Sequence, residues 1–168
     1  MKRITCILIC ILFILALSAC KDKEAELQVP SNYYYVNTNI SYNAPDSVIR
    51  AEARETVNFY GNLEMFLNSY LDGPKSSALE SYIPSDTKLV SCVVTNRTAE
   101  IVLSEEFSKL TGVRLSTACS AMLLTVHDYI GTETIIVSAE NSLLDEKYEI
   151  QITMNDVVLM DSVPMEDQ

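Results

Sequence analysis

The chain holds one histidine, His127, and an acid, Asp128, follows it directly. An imidazole beside a carboxylate could begin a general acid–base device. Adjacent residues on a helix point about 100° apart, however, and do not face each other. His127 falls between inward Val126 and Tyr129 and reads as a boundary residue. A Ser-His-Asp device also needs a nucleophile on a strained, Gly-flanked turn, and no serine here has that setting. The acidic pairs Glu105-Glu106 and Asp145-Glu146 raise glycoside hydrolysis or calcium binding. Glycosidases hold two carboxylates roughly 5–10 Å apart in a cleft, whereas these pairs flank polar turns and read as solvated. No Asp-x-Asp-x-Asp-Gly calcium loop occurs, and a single His excludes sites built from several imidazoles. No catalytic residue, metal or cofactor is expected.

Two other residue types invite a binding role. In a strand, Tyr33 and Tyr35 share one face and Tyr34 takes the other, so Tyr33 and Tyr35 could form a stacking surface for sugar or peptide. Packing within the sheet is the plainer explanation. The sequons at Asn39 and Asn96 are three-residue matches that arise by chance. Gly61, Gly73, Gly112 and Gly131 never come within ten residues of one another. A phosphate-cradling Gly-rich loop is therefore excluded.

The N-terminus carries an address. Met1-Lys2-Arg3 is basic, Ile4 to Leu17 is uncharged and mostly Ile, Leu, Cys and Phe, and Leu17-Ser18-Ala19-Cys20 precedes a return of charge. That is the secretory signal pattern. Residues 4–19 would span roughly 24 Å as a helix, short of a ~30 Å hydrocarbon core. Leu-Ser-Ala-Cys resembles the bacterial lipobox, which implies cleavage between Ala19 and Cys20 and a diacylglyceryl thioether on Cys20. Two acyl chains suffice for stable anchoring. The expected location is the extracytoplasmic face of the cell membrane.

The 168 residues carry 12 Lys+Arg and 23 Asp+Glu, a net charge of −11. Cleavage would remove Lys2 and Arg3 and take the charge to −13. Nucleic-acid binding needs clustered cations and is excluded; a protein partner should present a basic face. Cys6 and Cys10 leave with the signal, so only Cys92 and Cys119 remain in the folded part. Extracytoplasmic space permits a bridge between them, although two Cys in a sizeable domain are more often separate core residues.

The elements follow from periodicity. Residues 20–32 read as a lipidated tether, 33–160 as one domain and 161–168 as an acidic tail. Tyr33 to Ile40 predicts a strand. Residues 47–59 alternate Ile49, Ala51, Ala53, Val57 and Phe59 with Arg50, Glu52, Arg54, Thr56 and Asn58, the pattern of a half-buried strand. Leu63, Phe66, Leu67, Tyr70 and Leu71 make one helical face over 62–72, stopped by Gly73-Pro74. A short helical turn is expected over 76–82. Residues 88–95 and 98–103 read as a hairpin about Asn96-Arg97, and Ser104 caps a turn ending near Phe107. A helix over 116–130 closes at Gly131, and strands over 135–138 and 148–153 follow. This order implies an α+β fold: a single domain with an antiparallel or mixed sheet packed by two helices.

Several pieces resemble the GerMN domain of bacterial sporulation and germination proteins. Leu67-x-x-Tyr70-Leu71-x-Gly73-Pro74 is similar to its helix stop, and Tyr82-Ile83-Pro84-x-x-Thr87 to the lead-in of its hairpin. Asp86 stands where that family usually has glycine. Residues 90–94 and 99–103 with Leu103-Ser104-x-x-Phe107 resemble the hairpin and its exit, and residues 121–129 and 134–137 the second helix and its strand. The resemblance implies a ring-building-motif-like fold and a non-catalytic envelope module, linked to sporulation or germination. The chain thus reads as a lipid-anchored protein-interaction or assembly module; the alternative is a lipoprotein binding cell-wall glycan or peptide, with peptidoglycan as partner.

Overall fold

The computed structural model describes residues 28–39, 48–57, 61–140 and 149–157. Strand β1 (Gln28–Asn37) runs antiparallel to β2 (Ile49–Val57), with Tyr33 opposite Glu52 and Tyr35 opposite Arg50. Two residues, β3 (Leu79–Glu80), pair with Val36 and Asn37 on the other side of β1. The second sheet takes β4 (Leu89–Thr95), β5 (Thr98–Leu103), β6 (Thr134–Ala139) and β7 (Glu149–Thr153) in that spatial order. Strands β5 and β6 are parallel and the other two pairings antiparallel. A parallel pair needs a long crossover, here a 3-10 turn (Glu105–Lys109) and helix α2 (Gly112–Ile130). Helix α1 (Leu63–Leu71) joins β2 to β3.

The α+β class and the two helices are those the pattern implies, but the strands form two sheets rather than one. The reason lies beside β1. Its Tyr34 N–H donates to Thr125 Oγ1 of α2 at 2.9 Å, so the helix covers a stretch of strand that β3 is too short to reach. Strand β1 also starts at Gln28, five residues before the expected Tyr33, inside the segment read as tether. Pro30 is tolerated there because β1 has a strand neighbour on one side only at that point.

Both helices owe their ends to single residues. Asn62 caps α1 by accepting from the Met65 N–H at 3.1 Å. Gly73 (φ 83°) and Gly131 (φ 73°) take the left-handed conformation that lets the chain leave α1 and α2. Helix α2 begins one turn earlier than its apolar face suggests, at Gly112. The expected helical turn over 76–82 is absent. Glu52 instead accepts from the Lys75 and Ser76 N–H groups at 3.0 and 2.7 Å, and the chain then joins β1 as β3.

The core lies between the sheets and the two helices. Tyr33, Phe66, Tyr35 and Tyr70 stack at centroid distances of 4.8–6.4 Å, and Phe66 also stacks on Tyr129. Met122, Leu123 and Val126 of α2 meet Ile101, Leu103, Ile135 and Val137 of the second sheet, all fully buried. No described helix is long and apolar enough to cross a membrane.

Candidate functional site

The residues singled out by the sequence fall into three sets. Tyr33 and Tyr35 are 0% and 1% exposed, which corrects the expectation of a stacking surface: both rings are occupied by Phe66 and Tyr70. The Tyr35 hydroxyl donates to the Tyr70 carbonyl at 2.8 Å, and burial pushes its pKa up. His127 and Asp128 diverge, as their helical spacing requires. His127 Nδ1 lies 2.7 Å from the Thr132 carbonyl, while Asp128 accepts from Asn32 Nδ2 at 2.8 Å. Glu106 accepts from the Ser104 hydroxyl and Glu105 is exposed. Ala19, Cys20, Asp145-Glu146 and residues 158–168 lie outside the described residues. Among the described residues no three His, Cys, Asp or Glu gather as for a metal.

Cys92 and Cys119 are both free thiols. Cys119 is sealed in the core, where burial pushes its pKa up to about 12. Cys92 sits half-buried on β4 with a pKa also raised, by burial first and by the Glu64 charge second.

A polar knot went unread in the sequence. The alternation over 47–59 predicts alanines inward and charges outward, yet Ala51 and Ala53 are exposed while Arg54 is buried and Glu52 half-buried. The Arg54 guanidinium lies 4.5 Å from the Tyr33 ring centroid, pairs with Glu52 and donates to the Gly73 carbonyl at 2.7 Å. It thereby fastens β2 to the C-terminal end of α1, where carbonyls lack helical partners. Burial alone would raise the Glu52 pKa. The N–H groups of Ser76 and Lys75, and then Arg54, outweigh it and hold the carboxyl below its ordinary value. In the sequence the knot shows only as Glu52 and Arg54 two apart, which places them on one face of the strand.

The motif residues fare differently. Leu71, Gly73, Pro74, Pro84 and Thr87 come together along one cleft of about 1290 Å³ between the C-terminal end of α1 and the N-terminal end of α2. Leu103 and Phe107 are buried in the core beyond it. Ser104 Oγ accepts from the Lys88 N–H at 2.9 Å and so fixes the cleft's rim. Lys88, Lys109 and Arg114 also line the cleft, with Asp72 and Asp86. The Arg114 guanidinium carbon lies 4.6 Å from the Tyr82 ring centroid. The second exposed feature is β4, which has β5 on one side and no described strand on the other. Its Val90, Val93 and Val94 are 45%, 57% and 44% exposed.

Two small sheets carried on two helices, with an α1 stop, a hairpin and a long crossover helix in this order, define a GerMN-type α+β domain. The tandem GerMN domains of the sporulation protein GerM from Bacillus subtilis superpose at a TM-score of 0.54 with 18% identity, over 74% of this chain and 43% of that one. The chain thus spans less than half of that tandem. The first GerMN domain of the same protein gives 0.53 and 15%, over 70% and 87%. A Clostridium perfringens protein crystallised as a lipoprotein candidate covers 77% and 89% at 17% identity, but its TM-score of 0.48 is too low to argue from. No curated protein matches at the level of sequence. The Germane family, described as sporulation and spore germination, matches residues 32–145, more than half of the chain. The chain belongs to that family.

Proposed function

We propose that this protein is a lipid-anchored, non-enzymatic interaction module on the extracytoplasmic face of the cell membrane, acting in sporulation or germination through the open edge of β4. The observation that carries the reading is β4 itself. An edge strand offers unpaired N–H and C=O groups to another chain, and soluble proteins usually blunt such edges with charge or proline. β4 carries neither, has α1 packed beside it, and exposes three valines on a chain with a net charge of −11. Strand addition of this kind draws affinity from the main chain and selectivity from alternate side chains. The surrounding charge favours a partner with a basic face. Cys20 supplies the anchor in this reading, and residues 21–27 the spacer.

The alternative of glycan or peptide stacking on Tyr33 and Tyr35 loses its basis with their burial. Two measurements test the proposal. The full-length protein should have the mass of residues 20–168 plus a lipid and partition to membranes, and Cys20→Ala should abolish both. A photo-crosslinking residue at position 93 should give one discrete adduct in intact cells, absent with the same probe at exposed Ala53. Equal adducts at both positions would refute the β4 assignment.

A further inference from the structure

The cleft between the helix ends supports a separate site, independent of β4. Its cations stand out first. Lys88, Lys109 and Arg114 line one concavity of a strongly acidic chain, and among the described residues none of the three is in a salt bridge. Contrast Arg54 and Arg97, which are paired with Glu52 and Glu133. Glu106 lies in the field of Lys109 and Lys88, and its carboxyl is held down first by the Ser104 hydroxyl. Arg114 is in no salt bridge with a carboxylate among the described residues. Its guanidinium carbon lies 4.6 Å from the Tyr82 ring centroid, and a guanidinium held over a ring keeps N–H groups that can donate to an oxyanion.

The backbone adds to this. Helix α1 has an Asn cap and an acid, Glu64, in its first turn. Helix α2 is 19 residues long and starts from Thr111, whose side chain makes no cap bond, with no acid in the first turn. Its leading N–H groups and positive dipole end therefore lack an anionic partner where Thr111 and Arg114 line the cleft. A third observation is independent of charge. Thr87 lines the same cleft, is 6% exposed, and its hydroxyl has no hydrogen-bond partner. Native proteins rarely leave such a group unmet, and a bound molecule is one way of meeting it.

Size and mixed charge narrow the ligand. The cleft exceeds the roughly 300–1,000 Å³ usual for small-molecule pockets, so a chain segment fits better than a single small acid. Asp72 and Asp86 line it beside the cations and would repel a polyanion. Met65, Leu71, Pro74 and Ile83 provide apolar wall. From these we infer that the cleft binds the free carboxyl end of a short peptide. The carboxylate sits at the N-terminus of α2 between Arg114 and Lys109, and the chain runs along the apolar wall toward the end of α1.

The test uses the full-length protein in detergent micelles and calorimetric titration with acetyl-Ala-Ala-Ala as free acid, its C-terminal amide, and inorganic phosphate. The free acid should bind saturably and the amide at least about tenfold more weakly, since a charge-assisted pair is lost. Arg114→Gln, at an exposed position, should weaken the acid by about tenfold without lowering the melting temperature, and Lys109→Gln by a smaller factor. Equal binding of acid and amide would overturn the inference, as would no saturable binding at millimolar peptide. Displacement of the peptide by equimolar phosphate would overturn the peptide assignment in favour of a general oxyanion site. Unchanged binding in both Arg114→Gln and Lys109→Gln would move the ligand elsewhere.

Discussion

The first sheet with α1 and the region around β4 and the cleft are built on opposite terms. Around Tyr33, Tyr35 and Arg54, nearly every polar atom finds a partner and every ring a neighbour. Around β4 and the cleft, three valines are exposed, a threonine hydroxyl has no hydrogen-bond partner, the N-cap side chain of α2 makes no cap bond and three cations are in no salt bridge among the described residues. Buried groups left unmet destabilise a fold. Of the three buried hydroxyls without a partner among the described residues only Thr87 lines the cleft, so the contrast rests on the exposed valines and the cations, which mark the part proposed to meet other molecules. The division predicts that substitutions on the first side change stability and those on the second change binding.

The sharpest way to break that division is at the aromatic stack. Phe66→Ala deletes a fully buried ring that touches Tyr33 and Tyr129. It should cost about 3–5 kcal/mol, read as a large drop in denaturant midpoint. Arg54→Ala comes next, at about 3 kcal/mol, because it leaves Glu52 and the Gly73 carbonyl without their buried partner. If Arg54→Ala melted like the wild type, the knot would be decoration and the contrast would fail.

The same knot makes a pH prediction. The folded Glu52 pKa lies below its ordinary value of 4.5, so the unfolded chain takes up a proton first as pH falls. The stability Glu52 contributes is present above pH 4.5 and is lost as pH falls through that value toward the folded pKa. Glu52→Gln should melt lower near neutrality and show a flatter acid limb than the wild type. Equal acid limbs would remove Glu52 from the network.

What the sequence could show follows the same line. The α1 face and the stop at Gly73 were readable because helix period and a left-handed glycine are local facts. The hairpin about Asn96, at φ 57°, was readable for the same reason. The alternation of β2 was also readable, but not its sense. Period two says that two faces differ and not which one meets the core. Ala51 and Ala53 are too small to fill the space beside Tyr33, whereas the Arg54 guanidinium lies over the ring and reaches carbonyls of the α1 end. The division into two sheets depends on Thr125 meeting Tyr34, 91 residues away. The cleft joins Gly73, Thr87 and Arg114, which no window of sequence contains. Leu71, Gly73, Pro74, Pro84 and Thr87 were nonetheless visible one by one as motif positions of the resemblance, whereas Lys88, Lys109 and Arg114 were not.

Smaller effects sharpen the contrast. Gly131→Ala meets no atom within 4 Å, so only the left-handed backbone (φ 73°) resists it. A cost of about 1 kcal/mol is expected by thermal melting. A much larger loss would mean that the end of α2 bears more of the fold than its backbone geometry requires.

The smallest expected change in stability, with the clearest spatial reading, comes from the two thiols. Cys119 lies at 0% exposure in the core and Cys92 half-buried on β4, and burial raises both pKa values. Alkylation needs the thiolate and access. In the native protein Cys92 should react slowly at pH 8 and faster as pH rises. Cys119 should wait for global unfolding and be labelled at a rate that denaturant controls. Mass spectrometry after timed quenching separates the two sites. Labelling of Cys92 with Cys119 untouched places the boundary between the closed and open regions across β4, which is what strand addition at that edge requires. If Cys92 were as protected as Cys119, β4 would belong to the sealed part of the molecule, and the proposed edge interaction would lose its strand.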